Sequence, residues 1–168
     1  MKGAYWIKEV SVISKFTESQ AFIEEMGLML EGFGLNRSAG RVLSALLVAD
    51  PPERTAEQLA ATLQASRGAI SGATTMLATM GLIERKRRPG DRKDYFRNKP
   101  NAWFEATKQQ TVLVEQLRQL AEKGLNIMES DKLEVTEGLR DMRDMLIFYE
   151  RELPEMFVRW ENLRKEER

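Results

Sequence analysis

Residues 66 to 96, SRGAISGATTMLATMGLIERKRRPGDRKDYF, restrict the possible fold more than any other stretch of the chain. Ile70, Ala73, Leu77 and Met80 recur at steps of three and four, which predicts the buried stripe of a helix capped by Ser66. The opposite face carries Arg67, Gly68, Ser71, Gly72, Thr74 and Thr75, where a helix built for solubility would carry Glu, Lys or Gln. Small residues there, two of them glycine, lower helix propensity and leave room for something large to approach closely. Gly81 ends the pattern, Leu82 to Lys86 starts a strand, Arg88-Pro89-Gly90-Asp91 supplies turn chemistry, and Lys93 to Arg97 returns as the partner strand. The prediction is a helix running into a two-stranded hairpin with a charged tip.

The hairpin matters because of its charge. The chain as a whole is neutral, with 26 basic and 26 acidic residues. Between Glu84 and Lys99, however, eight basic residues face three acidic ones, so a basic pole is balanced by an acidic remainder. A local positive field is what binding to phosphates requires.

Upstream, Thr17 and Gln20 have the spacing of a capping box ahead of Phe22, Ile23, Met26, Met29, Leu30 and Phe33, which predicts an amphipathic helix from Thr17 to about Gly34. The residues before Thr17 read ambiguously: Trp6, Val10, Ile13 and Phe16 fall at helical spacing, yet Val10, Val12 and Ile13 are β-branched and suit an extended chain. A second helix spans about Ser38 to Ala49 and stops at Asp50-Pro51-Pro52. Thr55 with Gln58 repeats the capping-box spacing and opens a short third helix containing Leu59 and Leu63. About two residues then separate it from the helix capped by Ser66, the tight connection of a helix-turn-helix.

After Lys99-Pro100, Phe104, Thr107, Val114, Leu117, Leu120, Leu125 and Met128 mark a long helix, and Ser130-Asp131 breaks it. Leu139, Met142, Leu146, Tyr149, Leu153, Met156, Trp160 and Leu163 then follow a heptad-like rhythm, with Pro154 expected to kink the run or divide it near Leu153. Residues 164 to 168 are expected to fray. The fold class is therefore mostly α with a small β-hairpin wing: a winged helix-turn-helix core flanked by long dimerisation helices. The division is 1–36 for the arm and first helix (dimerisation), 37–100 for the DNA-binding domain, and 101–168 for the C-terminal dimerisation region.

Cysteine and histidine are both absent. That removes thiolate nucleophiles, imidazole bases and the usual zinc ligands, and the scattered carboxylates form no convergent acid pair, so neither an enzyme nor a cofactor-dependent protein is expected. No apolar run approaches the length of a membrane span, and Lys8, Glu9 and Lys15 interrupt any signal-peptide core, which points to a cytoplasmic protein.

The reading face and the basic hairpin together suit double-stranded DNA. Ser66 caps the helix so that its N-terminus points at a phosphate; Arg67, Ser71, Thr74 and Thr75 reach the major groove, with Arg67 the best candidate for guanine O6 and N7. Arg87, Arg88, Arg92 and Lys93 surround Pro89-Gly90 and are expected on phosphates or in a minor groove. Arg37 at the start of the second helix is a candidate brace for the DNA backbone, whereas Arg41 is equally suited to an internal ion pair. Asp91 and Asp94 are placed to orient the arginines. Trp6, Trp103, Phe104, Tyr149 and Trp160 are candidates for the lining of an effector pocket, including one for a cation held by ring faces, or for the core. The alternative for the whole is a winged helix serving as a protein-interaction module without sequence-specific DNA binding.

This order of elements resembles the MarR superfamily of winged-helix regulators, and looks most like its GbsR-like branch. The resemblance rests on residues 37 to 96: the AGRVL run, the DPP turn, the S-R-G-x-I-S helix start, the L-x-x-M-G-L-I-E exit and the P-G-D-R-K-D-Y wing. It implies a homodimeric transcriptional regulator, usually a repressor, whose DNA affinity responds to a small effector. It gives Ser66, Arg67, Ser71, Thr74 and Thr75 the recognition-helix role and Arg87, Arg88, Arg92 and Lys93 the wing role. In the GbsR-like branch choline and related metabolites act as effectors, but no motif in this chain names one, so the effector's identity stays open.

Overall fold

The computed structural model describes residues 3–128 and 133–166, with side chains at most of these positions but not for residues 3–16, 110 and 133–135. In chain order the elements are α1 (Gly3–Glu31), α2 (Arg37–Leu47), β1 (Arg54–Thr55), α3 (Ala56–Leu63), α4 (Arg67–Thr79), β2 (Ile83–Arg87), β3 (Asp94–Asn98), α5 (Ala102–Met128) and α6 (Leu133–Glu166). They form two compact units, Met1–Trp103 and Phe104–Arg168.

The first unit is built around α2. Val42, Leu43 and Leu46 are almost wholly buried, as are Ile23 and Leu30 of α1, Leu59 and Leu63 of α3, and Ile70 and Leu77 of α4, three helices that α2 touches. Where α1 and α2 cross, the contact is backbone to backbone: a Cβ added at Gly40 would lie 2.8 Å from the carbonyl oxygen of Gly27. Two glycines facing each other are what permits this approach. Arg41 then closes over the crossing, 2.7 Å from Glu24, so its charge is engaged inside the fold.

The sheet has three strands rather than the two expected, in the order β1-β3-β2, all antiparallel. Arg54 pairs with Phe96 and Thr55 with Tyr95. A two-residue strand has no room to show a periodicity of two, so nothing in the sequence separates β1 from the capping box that follows it. That box forms as expected: Thr55 Oγ1 accepts from the Gln58 amide and the Gln58 side chain accepts from the Thr55 amide. The connection from α3 to α4 is three residues long, with Gln64 in the left-handed region (φ 48°) as the C-cap.

Other expectations are corrected. α1 does not start at Thr17; it runs from Gly3, so the Thr17–Gln20 pair lies mid-helix and Gln20 uses its amide elsewhere, donating to the carbonyl of Thr62. The helical spacing of Trp6, Val10, Ile13 and Phe16 outweighs the β-branching of Val10, Val12 and Ile13. Met80 is the C-cap of α4, one residue beyond the helix, and at 39% exposed it does not continue the buried stripe that ends at Leu77. Gly81 (φ 70°) then turns the chain into β2.

In the second unit α5 and α6 are long helices, and α6 continues through Pro154 without dividing. The expected break at Ser130-Asp131 lies outside the described residues, as do Glu167 and Arg168 at the expected frayed end. Buried positions are sparse: Ala121, Thr136, Leu146 and Phe157. Gly124 lets Leu139 come within 3.1 Å of where its Cβ would stand. Arg118 spans the pair, with Nε 2.7 Å from Glu150. The heptad positions Tyr149, Met156, Trp160 and Leu163 of α6 are exposed, together with Leu113, Leu120 and Ile127 of α5. No helix of the described residues is long and apolar enough to cross a membrane, and no three His, Cys, Asp or Glu among them gather in a metal-binding group.

Candidate nucleic-acid interface

Ser66 sets the start of α4. Its backbone is extended (φ −68°, ψ 154°) and its Oγ accepts from the amide of Ala69, 3.2 Å away, satisfying one of the amides a helix start leaves without a partner. Ile70, Ala73 and Leu77 are buried and hold the helix against the core. Arg67, Gly68, Ser71, Gly72, Thr75, Ala78 and Thr79 are all exposed on the other side.

Thr74 does not belong to that exposed face. It is 4% exposed, and its hydroxyl donates within its own helix to the carbonyls of Ile70 (2.9 Å) and Ser71 (3.1 Å). The reason is angular: residue 74 is one turn from both Ile70 and Leu77 and shares their stripe. Its side chain is nearly buried and its hydroxyl is spent within the helix, so it borders the cleft beside the helix from below rather than projecting from the exposed face.

The glycines of α4 are not explained by packing inside the chain. A Cβ at Gly72 would meet nothing within 4 Å, and one at Gly68 would meet only Ser66 Oγ, at 4.0 Å. Each glycine costs the helix roughly 0.5–1 kcal/mol relative to alanine. The fold gains no close contact in return, unlike at Gly27 and Gly40, where the chain itself occupies the space.

The wing is held together by charge. Asp94 faces Arg87 across the ladder and accepts from Arg85 and from Arg87 Nε, the latter at 3.0 Å. These two guanidinium groups, Arg85 first, hold the Asp94 carboxyl below its ordinary range. Arg97 reaches Glu84, its cross-strand partner, and lowers that carboxyl. Arg88 donates to Glu53 at 2.8 Å and lies 4.0 Å over the ring of Tyr95. Glu53 is pushed down chiefly by that hydrogen bond, and the Arg88 guanidinium is pushed up. At the tip, Gly90 takes φ 79° and the amide of Asp91 donates to the carbonyl of Arg88. The Asp91 carboxylate accepts from the Lys93 amide (2.9 Å) and the Tyr95 hydroxyl (2.8 Å). The first of these contacts lowers Asp91 most, while the second raises the Tyr95 phenol.

The sequence-predicted cations therefore separate. Arg87 and Arg88 are engaged in ion pairs, and Arg37 pairs with Glu24 (3.0 Å) and Glu31 (3.7 Å) on α1. Among the described residues, Arg67, Arg92 and Lys93 have no side-chain hydrogen bond or ion pair. A cleft of about 530 Å³ lies between α4, the start of α3 and the wing, and its lining includes Ser71, Thr74, Thr75, Arg85, Arg92 and Lys93. Arg37, Ser66, Arg67, Arg87 and Arg88 lie outside it.

The cleft also holds a residue that sequence reasoning missed. Glu57, in the first turn of α3, is lowered by the Thr55 hydroxyl and its own backbone amide, with Lys93 and Arg67 adding positive field. Its place in the first turn of a capped helix gives it a sufficient structural role in the sequence, and only the fold brings it beside the reading face. Of the aromatics proposed for an effector pocket, Phe104 packs edge-on against Phe157 at 5.6 Å. Trp103, Tyr149 and Trp160 are exposed, and the side chain of Trp6 is outside the described ones. A groove of about 290 Å³ between α5 and α6 is lined by Val112, Val114, Glu115, Glu150, Leu153 and Pro154, and by none of these aromatics.

Comparison with known proteins agrees with this geometry. Residues 33–94 match a model of the MarR family, and residues 101–164 match one of MmpR5-like MarR family transcriptional regulators. The HTH-type transcriptional regulator MmpR5 of Mycobacterium tuberculosis (strain ATCC 25618 / H37Rv) is 40% identical over 129 residues, covering 77% of this chain and 78% of that protein. A crystal structure described as that of a transcriptional regulator is 36% identical and superposes with a TM-score of 0.73, covering 86% of this chain and 99% of the other.

Proposed function

This chain belongs to the MarR family of winged-helix transcriptional regulators, in its MmpR5-like group, and on that premise we propose that it reads a specific double-stranded DNA sequence as a homodimer and represses transcription until an effector binds. The observation that carries the sequence-specific part is the exposed Ser71 and Thr75 of the glycine-containing α4 standing across a single cleft from Arg92 and Lys93, cations without an ion pair. In this reading Arg67, Ser71 and Thr75 face base edges, Ser66 and the start of α4 meet a phosphate, and Arg92 and Lys93 bind flanking phosphates. Arg87 and Arg88 support the wing, Arg37 lies at the margin of the interface, and Thr74 supports α4 from beneath.

Residues 37–100 act as the DNA-binding domain, and 1–36 with 101–168 as dimerisation regions. The exposed apolar side chains of α5 and α6 support that division, because a two-fold pairing of such faces buries them and sets two recognition helices one half-site apart. The effector is a small molecule of open identity, and the cytoplasm is the expected location. The GbsR-like placement rests on the motifs of residues 37–96 alone.

Selection of bound duplexes from a random pool tests the proposal, followed by affinity measurements on the winning duplex and a scrambled one. Arg67→Ala is expected to cost about 1–3 kcal/mol on the selected duplex and little on the scrambled one, the signature of a removed base interaction. Failure of the pool to converge on any sequence would favour the protein-interaction module instead.

A further inference from the structure

The last turn of α3 is completed by side chains from two other helices. Helix geometry leaves the final four carbonyls, those of residues 60 to 63, without partners in the helix. Here Ala60 and Ala61 accept from the amides of Ala65 and Gln64 in the usual manner of a C-terminus. Thr62 accepts from Gln20 Nε2 of α1 at 3.3 Å, and Leu63 accepts from Arg41 Nη2 of α2 at 2.9 Å. Arg41 is in turn held at 2.7 Å by Glu24, one turn along α1 from Gln20. A cation at this end also meets the negative pole of the α3 dipole.

We propose that Gln20, Glu24 and Arg41 form a latch that sets the angle of the recognition helix from α1, making Arg41 a positioning residue for DNA reading. The residues it grips directly precede Gln64, Ala65 and Ser66, the whole connection between α3 and α4. A tilt of α1 has little freedom to be absorbed where it crosses α2, since Gly27 and Gly40 already touch through their backbones. It is therefore passed through Gln20 and the Glu24–Arg41 pair to the carbonyls of Thr62 and Leu63, and from there to the start of α4. Arg41 resembles a DNA-backbone candidate in sequence because it is a cation near a helix start. Its partners are a carboxylate and a carbonyl of its own fold, and its side chain is 24% exposed.

The proposal rests on α4 reading DNA, and the test separates the two. Arg41→Met, Arg41→Lys and Gln20→Ala are compared with the unaltered protein on selected and scrambled duplexes over a range of salt. The expected result for Arg41→Met is a tenfold or greater loss on the selected duplex, an unchanged affinity for the scrambled duplex and an unchanged salt slope, because no phosphate ligand has been removed. Arg41→Lys keeps the charge but cannot span both partners, so it recovers part of the loss. Gln20→Ala gives a smaller loss of the same kind, and each change raises amide exchange at residues 64 to 67.

Parallel losses on both duplexes with a shallower salt slope would make Arg41 a phosphate ligand and overturn the latch. So would selected-duplex affinity within twofold of the unaltered protein. If Arg41→Met does not fold, Gln20→Ala decides by the same criteria. An unaltered protein that does not distinguish the duplexes would instead reject DNA reading by α4, leaving the amide-exchange result to judge the latch.

Discussion

The exposed face of α4 and the wing both border one cleft, but they are built on opposite plans. On α4 the exposed side chains are small, Arg67 has no ion-pair partner among the described residues, and two glycines hold open space that the chain does not use. On the wing Arg85, Arg87, Arg88 and Arg97 are consumed by Asp94, Glu53 and Glu84. One surface accepts a local loss of helix stability to remain accessible; the other uses most of its charge on its own shape. The basic excess that marks residues 84 to 99 in sequence is thus mainly structural, and the part without an ion pair narrows to Arg92 and Lys93 at the cleft and Lys99 at the end of the wing.

That narrowing is open to a direct challenge within the wing. Arg92→Ala with Lys93→Ala is expected to weaken binding to every duplex by on the order of tenfold, with the salt slope shallower by about 0.9 for each phosphate no longer neutralised. The double change Arg88→Ala with Glu53→Ala leaves the net charge as it was and removes a pair already satisfied internally, so it should leave the salt slope unchanged. Equal slope changes from the two pairs, measured by fluorescence anisotropy from 50 to about 300 mM salt, would return Arg88 to the phosphate-binding set.

How far sequence anticipates this contrast depends on what each feature needs. The core stripe of α4, the cap at Ser66 and the Thr55–Gln58 box are all legible, because periodicity and capping are local properties of a few neighbouring residues. Thr74 is only partly legible, because its residue type suggests exposure while its helical angle buries most of it at the edge of the cleft. Glu53, Tyr95 and Glu57 carry no local signal, since their significance depends on partners brought together by the fold: Glu53 lies 35 residues from Arg88. The same holds for Gln20, whose local spacing suggests a helix start while its actual partner is 42 residues away. Opposite charges close in sequence, such as Asp94 and Arg87, are legible as orienting pairs.

The α4 side of the contrast is tested by filling one glycine. Gly72→Ala adds a methyl group to open space on an interior helical position, so it should raise stability by about 0.4–1 kcal/mol. On the proposed reading face the same methyl stands between helix and duplex and should weaken selected-duplex binding severalfold. Stability and affinity moving in opposite directions is the expected outcome, read by thermal unfolding and anisotropy on one preparation. If both improve, the space above Gly72 is not where the duplex lies.

The smallest expected effect is also the one that separates the two surfaces by chemistry alone. Asp94, Glu53, Glu84 and Asp91 all lie below their ordinary carboxylate values in the folded wing, held there by Arg85, Arg88, Arg97 and the Lys93 amide as the leading causes. The unfolded chain therefore takes up protons at a higher pH than the folded wing does. What these interactions contribute is complete above the unfolded carboxylate values and is lost as pH falls through the lower, folded ones. Because the pairs are solvent-screened, the loss should be modest and confined to the wing. The helix α4 contains no Asp or Glu, so it has no corresponding contribution of its own. Amide exchange followed from neutral pH into the acid range should show residues 84 to 98 losing protection before residues 70 to 77. Glu53→Gln with Asp94→Asn should flatten the wing's response. Simultaneous loss of protection in both segments, unchanged by those substitutions, would mean that charge does not hold the wing apart from the rest of the unit and that its arginines are freer to meet DNA than their partners suggest.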